Sequence, residues 1–267
     1  MKFSRVLFSP AAILLTLVGA AYSQEGPLNP DPPKGVTSQE IIEKFAAKEK
    51  EFKEARDLYT FRQDVKVQTL DGDTVTGEYR EVFDVTYDNQ GKHLENVTYA
   101  PQNTLTEISM SPEDLQDIRH LLPFVLTSGE IPEYDILYVG QQQEDELHCY
   151  VFDIAPKKIE AKKRYFQGRI WVDDHDFQIV KMEGKSAPDI LPKKRKQQPN
   201  LFPKFTTYRE LIDGKYWYPT YSLTDDTLHF PATDVHIKGT VKATDFKCIG
   251  VTKPQSKEPA SSKTSGH

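Results

Sequence analysis

The chain is poor in what most enzyme signatures require. Its 14 glycines in 267 residues form no phosphate-cradling loop, and neither a G-x-S-x-G elbow nor an H-E-x-x-H pair occurs. The seven histidines are scattered, at 93, 120, 148, 175, 229, 236 and 267. Two cysteines occur, Cys149 and Cys248, and neither belongs to a C-x-x-C pair, which removes the usual geometry of thiol redox catalysis. A basic excess is missing as well: 34 Lys and Arg face 40 Asp and Glu, a formal charge of -6, and without a basic stripe there is no footprint for nucleic acid. No repeat of 20 to 50 residues is present. No enzymatic activity, cofactor or nucleic-acid partner is expected on these grounds.

Long hydrophobic runs are also absent, except at the start. Lys2 and Arg5 precede VLFSPAAILLTLVGA, and Ala21-Tyr22-Ser23 places small residues at both critical cleavage positions. This is the pattern of a cleaved signal peptide over residues 1–23, and it predicts a periplasmic or otherwise exported protein. As a membrane anchor the run is short, and Ser9 and Pro10 interrupt it. Cleavage would remove two basic residues and no acid, leaving 32 basic against 40 acidic side chains. In an oxidising compartment Cys149 and Cys248 could form a disulfide; the alternative is two separate buried thiols.

What the chain does have is aromatics and alternation. There are 14 Phe and 13 Tyr against 3 Met, a balance that suits strands better than helical bundles. In Arg164 to Lys185, Phe166, Gly168, Ile170 and Val172 share one face of a strand, with Tyr165, Gln167, Arg169 and Trp171 on the other. Asp173-Asp174-His175-Asp176 then reverses the chain into a return arm through Phe177, Ile179, Val180 and Met182. Aromatics on both faces of a sheet require cover on both sides.

Residues 24–36 hold four prolines and predict an extended spacer that stands off from the domain. Thr37 and Glu40 match a capping box, with Val36 and Ile41 as a hydrophobic staple, so a helix is expected to about Arg56 with Ile41, Phe45 and Phe52 on its apolar stripe. A long hairpin follows, turning at Asp71-Gly72 and carrying Phe61 and Phe83, and then a third strand near Leu94 to Tyr99. Ser111-Pro112 starts a second helix bearing Leu115, Ile118, Leu121 and Leu122. Phe124 to Leu126 and Ile131 read either as a lid or cavity edge or as core filler under a loop.

Strands resume at Tyr134 and are interrupted by residues 185–203, a proline-rich loop with the basic cluster Lys193-Lys194-Arg195-Lys196. They end in FTTYRELI, the Asp213-Gly214 turn, YWYPTYSL, a short TLHF and DVHIKGTVKATDFK. Pro219 is expected at an edge or bulge. The domain should span 37–250, followed by a tail over 251–267 that is poor in apolar residues and expected to be disordered.

Two acid groups suggest cation sites. Asp173 to Asp176 could offer oxygen ligands, as could Asp225-Asp226 with His229, though acid pairs in turns more often bind local backbone amides. Metal binding is not expected at either.

The blocks RYFQGRIWVDDHDFQIVKMEGK and NLFPKFTTYRELIDGKYWYPTYSLTDDTLHF, with GEYREVFDVTYDNQGK and SPEDLQDIRHLLPFVLT upstream, resemble exported members of the LolA-like, outer-membrane lipoprotein-sorting superfamily. The resemblance implies a mainly β, α+β fold: an unclosed antiparallel β-barrel of about eleven strands, with two or three helices over its concave face and a hydrophobic cavity between. It implies a monomeric periplasmic carrier of the acyl chains of lipoproteins or lipids, receiving them from an inner-membrane transporter and passing them to an outer-membrane acceptor. A non-catalytic envelope sensor or protein-interaction module on the same fold is the alternative. The cavity is expected to be lined by Ile41, Phe45, Phe52, Phe61, Phe83, Leu115, Ile118, Phe166 and Ile170.

Overall fold

The computed structural model describes residues 25–88, 93–120, 124–160, 163–191 and 199–250; the side chains at 119 and 120 are not among them. The segment expected to be a signal peptide, the Lys193-Lys196 cluster, Leu121, Leu122 and the tail after Gly250 therefore lie outside the described residues. Helix α1 (Ser38–Ala55) starts where the capping box places it: the Thr37 side chain accepts from the Glu40 amide, and the Glu40 carboxylate accepts from the Thr37 amide at 2.7 Å. Val36 packs beside Ile41, as a staple should. Helix α2 (Pro112–His120) repeats the device, with the Ser111 amide donating to Asp114 at 2.7 Å and the Asp114 amide donating to the Ser111 hydroxyl at 3.1 Å.

Among the described residues, ten strands make one antiparallel sheet: β1 (Tyr59–Asp71), β2 (Thr74–Tyr87), β3 (His93–Tyr99), β4 (Tyr134–Glu144), β5 (Leu147–Pro156), β6 (Tyr165–Asp173), β7 (Ile179–Ala187), β8 (Lys204–Ile212), β9 (Tyr216–His229) and β10 (Asp234–Cys248). Their order is β3-β2-β1-β10-β9-β8-β7-β6-β5-β4, so β3 and β4 are the two edges and the sheet does not close into a barrel. Both helices lie on one face. The mainly β, unclosed architecture is as expected. The count falls to ten because YWYPTYSL and TLHF are one continuous strand, β9, rather than two. The acids that suggested a break lie on that strand: Asp225 pairs across to His236 at 2.6 Å and Lys238 at 3.4 Å on β10. Pro219 does sit at a bulge, where the β8–β9 register shifts between Tyr208 and Arg209.

One half of the helix face is closely filled. Ile41 and Phe45 of α1 meet Phe152, Phe166, Ile170, Val172 and Met182 of β5, β6 and β7. Phe45 and Phe152 are edge to face at 5.8 Å. Tyr165, expected on the opposite face, joins this core at the start of its strand. Phe124 and Leu126 are buried in it too, so that run is core filler and not a lid. A buried ion pair fixes α1 to β8, with Arg209 donating to Glu49 at 2.7 and 3.2 Å and its guanidinium 5.1 Å over the Phe52 ring. Phe52 packs further along with Tyr59 and Tyr218.

The outer face carries Trp171, Val151, Val180 and Cys149. Here the proline-rich segment departs from expectation. It does not stand off: the Gly26 amide donates to the Gln143 carbonyl at 2.8 Å, Asn29 and Gln141 exchange two bonds at 2.8 Å, and the Tyr138 hydroxyl donates to the Asp31 carbonyl. Glu25 reaches the ammonium of Lys181, which also donates to both Glu144 oxygens at 3.0 Å and lies 4.6 Å from the Trp171 ring. Burial pulls the Lys181 pKa down, but the two carboxylates outweigh it and hold it above the ordinary lysine value. The possible disulfide is corrected as well. Cys149 is a buried free thiol on β5 and Cys248 an exposed free thiol ending β10. Strands β6 to β9 separate them, and at ~4.8 Å per strand that far exceeds the ~7 Å Cα separation a disulfide tolerates. Burial raises the Cys149 pKa to about 12.

Candidate binding pocket

The other half of the same face is hollow. A pocket of about 360 Å³ lies between α2 and strands β8, β9 and β10. Its size falls in the lower part of the usual range for small-molecule sites, ~300–1,000 Å³. Ile118 of α2 faces it from above, Ser222 and Thr224 of β9 with Gly239 and Val241 of β10 make the floor, and the 108–111 and 199–203 loops form the sides. One end is an apolar cluster of Leu228, Val235 and Ile237, against which Ile108, Leu201 and Phe230 pack. Below Ile118 lies a second cluster, Val65, Phe83 and Val85, with Phe61 and Val241 beside it.

Local bonds hold the side walls in place. Asn200 donates to the Ser111 hydroxyl at 2.8 Å, joining the 199–203 loop to the cap of α2. The Phe202 amide donates to Asp189 at 3.2 Å, and Lys185 donates to Asp189 at 3.1 Å. The Arg164 guanidinium lies 3.7 Å from the centre of the Phe202 ring and donates to Asp117 of α2 at 2.8 Å, while the Ser186 hydroxyl donates to the same carboxylate. On the floor, Ser222 bonds Thr207 at 2.8 Å and Thr224 donates to the Lys204 carbonyl. These polar groups are thus paired within the protein, and the open surface of the pocket is mainly hydrocarbon. Asp114, bonded to Ser111, is buried enough that its pKa is raised despite the lowering effect of those bonds, and Asp117 and Glu113 add to the rise.

Of the residues expected to line a cavity, Ile118 lines this pocket, and it also lines, with Phe61, a smaller one of about 90 Å³ next to it. Phe83 supports the floor from β2. Ile41, Phe45, Phe166 and Ile170 come together, but as solid core, and Phe52 is in a separate aromatic cluster. Leu115 is half-buried on α2 and lines neither pocket. The residues that sequence reasoning missed are small or lie in loops: Gly239, Thr224, Ser222, Ile108 and Leu201. A glycine inside the alternating run DVHIKGTVKATDFK was the available signal.

The acid groups separate cleanly. Asp173, His175 and Asp176 have ligand atoms within 4.8 Å of one another, but Asp173 accepts the His175 amide at 3.2 Å and the Asp176 amide at 2.7 Å, which is the local turn role. His229 pairs with Asp234 at 2.9 Å and not with Asp225 or Asp226. Among the described residues, no helix is long and apolar enough to cross a membrane.

No protein-family model and no curated protein matches the chain. Among solved structures, it is similar to a DUF1329 family protein from Desulfovibrio piger, with 15% identity, 79% of this chain and 93% of that one covered, and a TM-score of 0.40. It is also similar to a LolA superfamily protein from Nitrosomonas europaea (16% identity, 81% and 95% covered, TM-score 0.34). A Vibrio parahaemolyticus domain named for outer membrane lipoprotein sorting gives 12% identity, 77% and 92% covered, and a TM-score of 0.34. Likenesses of this size concern the path of the chain and say nothing of what is bound.

Proposed function

We propose that the chain is a non-catalytic periplasmic carrier that takes the acyl chain of a lipid or lipoprotein into the pocket between α2 and strands β8 to β10. The supporting observation is that pocket itself: about 360 Å³ of space with mainly apolar walls, beside polar groups already bonded to one another. A ligand here is offered mainly hydrocarbon contact, which favours an apolar chain over a polar metabolite. Withdrawing about ten methylenes from water contributes on the order of 8 kcal/mol at ~0.8 kcal/mol each. That corresponds to roughly micromolar affinity, tight enough to load and loose enough to hand on. In this reading a transporter in the inner membrane supplies the ligand and an acceptor at the outer membrane removes it.

Native mass spectrometry of protein purified from the periplasm is the test. Copurified lipid or acylated peptide, lost on Ile108→Asp, supports the carrier. Ile108 is half-buried on a loop wall, so a charge there enters the pocket without disturbing the sheet. A clean apo mass together with a stoichiometric protein partner would instead favour the envelope-sensor alternative.

A further inference from the structure

Among the described residues, five glycines within the strands have neighbours that a side chain would meet, and four of them have an obvious structural reason. Gly168 and Gly184 face each other across β6 and β7, where a Cβ on either would collide with the opposite backbone. At Gly77 a Cβ would lie 2.7 Å from the Thr104 carbonyl oxygen, and at Gly140 it would strike the Asn29 carbonyl of the N-terminal segment. Each is a close approach of two backbones, for which only glycine leaves room.

Gly239 is different. It lies in the interior of a 15-residue strand, in register with Val67 of β1 and Thr224 of β9. The first atom a Cβ would meet is the Thr224 methyl, at 2.7 Å; the nearest backbone atom, the Lys66 carbonyl oxygen, is 3.6 Å away. No main chain presses on it, and a glycine there costs the strand conformational entropy. What adjoins it is the floor of the pocket. Its helix-face neighbours along β10, Val235, Ile237 and Val241, are branched aliphatics of the kind that would fill the space if one stood at 239.

We propose that Gly239, narrowed only by the Thr224 methyl, sets the depth of the pocket and so the length of the single unbranched hydrocarbon chain it accepts. This rests on the carrier reading above and adds to it a ligand class: one chain per pocket, with a length limit written at position 239. Valine at 239 shortens the limit. Serine at 224 keeps the hydroxyl that bonds the Lys204 carbonyl, removes the methyl and lengthens it.

The experiment uses the full mature chain and saturated fatty acids of 8 to 18 carbons, measured by displacement of a fluorescent polyene fatty acid. In the unaltered protein affinity should rise with length up to a limit. Gly239→Val should weaken the longest chains bound by tenfold or more while leaving the shortest within about twofold, and Thr224→Ser should move the limit to longer chains. If both variants keep the original limit, Gly239 is not the determinant although the carrier reading stands. If the unaltered protein displaces no probe at any length, the carrier reading fails and this inference with it. Should Gly239→Val not fold by circular dichroism, the direction of the Thr224→Ser shift decides alone.

Discussion

The two halves of the helix-bearing face are built on one sheet and end in opposite states. Over β5 to β7, an 18-residue helix brings Ile41 and Phe45 down onto Phe152, Phe166 and Ile170, all of them fully buried. Over β8 to β10, a nine-residue helix brings a half-buried Ile118 above Ser222, Thr224 and Gly239. The difference lies in side-chain volume at equivalent positions of the pleat, not in secondary structure. A sheet can therefore carry its stability in one region and its vacancy in another, and the vacancy is tolerable because the first region is so fully packed.

The largest expected effect lies in the packed half. Phe45→Ala should cost about 3–5 kcal/mol and lower the melting temperature by roughly 10 °C, with acyl-chain affinity unchanged, as calorimetry and probe titration would show. Glu49→Ala leaves the Arg209 guanidinium buried without its carboxylate and should cost a comparable 3–5 kcal/mol in denaturant unfolding. By contrast, Ile118→Ala should cost under about 2 kcal/mol, because its surroundings are already partly empty. Equal losses for Phe45→Ala and Ile118→Ala would break the distinction between the halves.

Ligand sharpens the same contrast. A saturating chain at about 100 times its Kd should stabilise the protein by ~2.7 kcal/mol, with slowed hydrogen exchange confined to α2 and strands β8 to β10. The smallest effect concerns pH. Because the Asp114 pKa is raised in the folded state, its proton binds the native form more strongly than the unfolded one. The resulting stabilisation is present at acid pH and is lost as pH rises through the folded pKa, which burial holds above the ordinary Asp value. Asp114→Asn removes that titration, so the melting temperature of the unaltered protein should fall relative to the variant between pH 4 and pH 7. A constant difference would show that Asp114 ionises as it would in water.

The fold was largely legible because it is written in periodicity. Alternation in β1, β2, β6 and β10, the reciprocal caps at Thr37 and Ser111, and the Asp71-Gly72 and Asp213-Gly214 turns are local signals that tertiary context did not override. The pocket was not legible. Large apolar residues were the natural candidates for a cavity, yet Phe45 and Ile170 fill space, while a cavity wall owes its existence to the volume missing at Gly239, Ser222 and Thr224. The place of the hollow also depends on which strands α2 covers, a matter of sheet order that no local pattern reports. The N-terminal prolines misled in a similar way: their number read as an extended spacer, but Gly26 and Asn29 supply amides that pair with β4.

That segment bears on how copies of the molecule can meet. A sheet with two open rims can add neighbours without end, rim to rim, into a fibre. Among the described residues β3 has no strand beyond it, and Val97 and Tyr99 are exposed, but β4 is paired along residues 141–144 by residues 25–29, leaving residues 134–140 of the strand unpaired on that side. The N-terminal segment thus shortens the rim that β4 offers another copy from its full 11 residues to the stretch before Gln141.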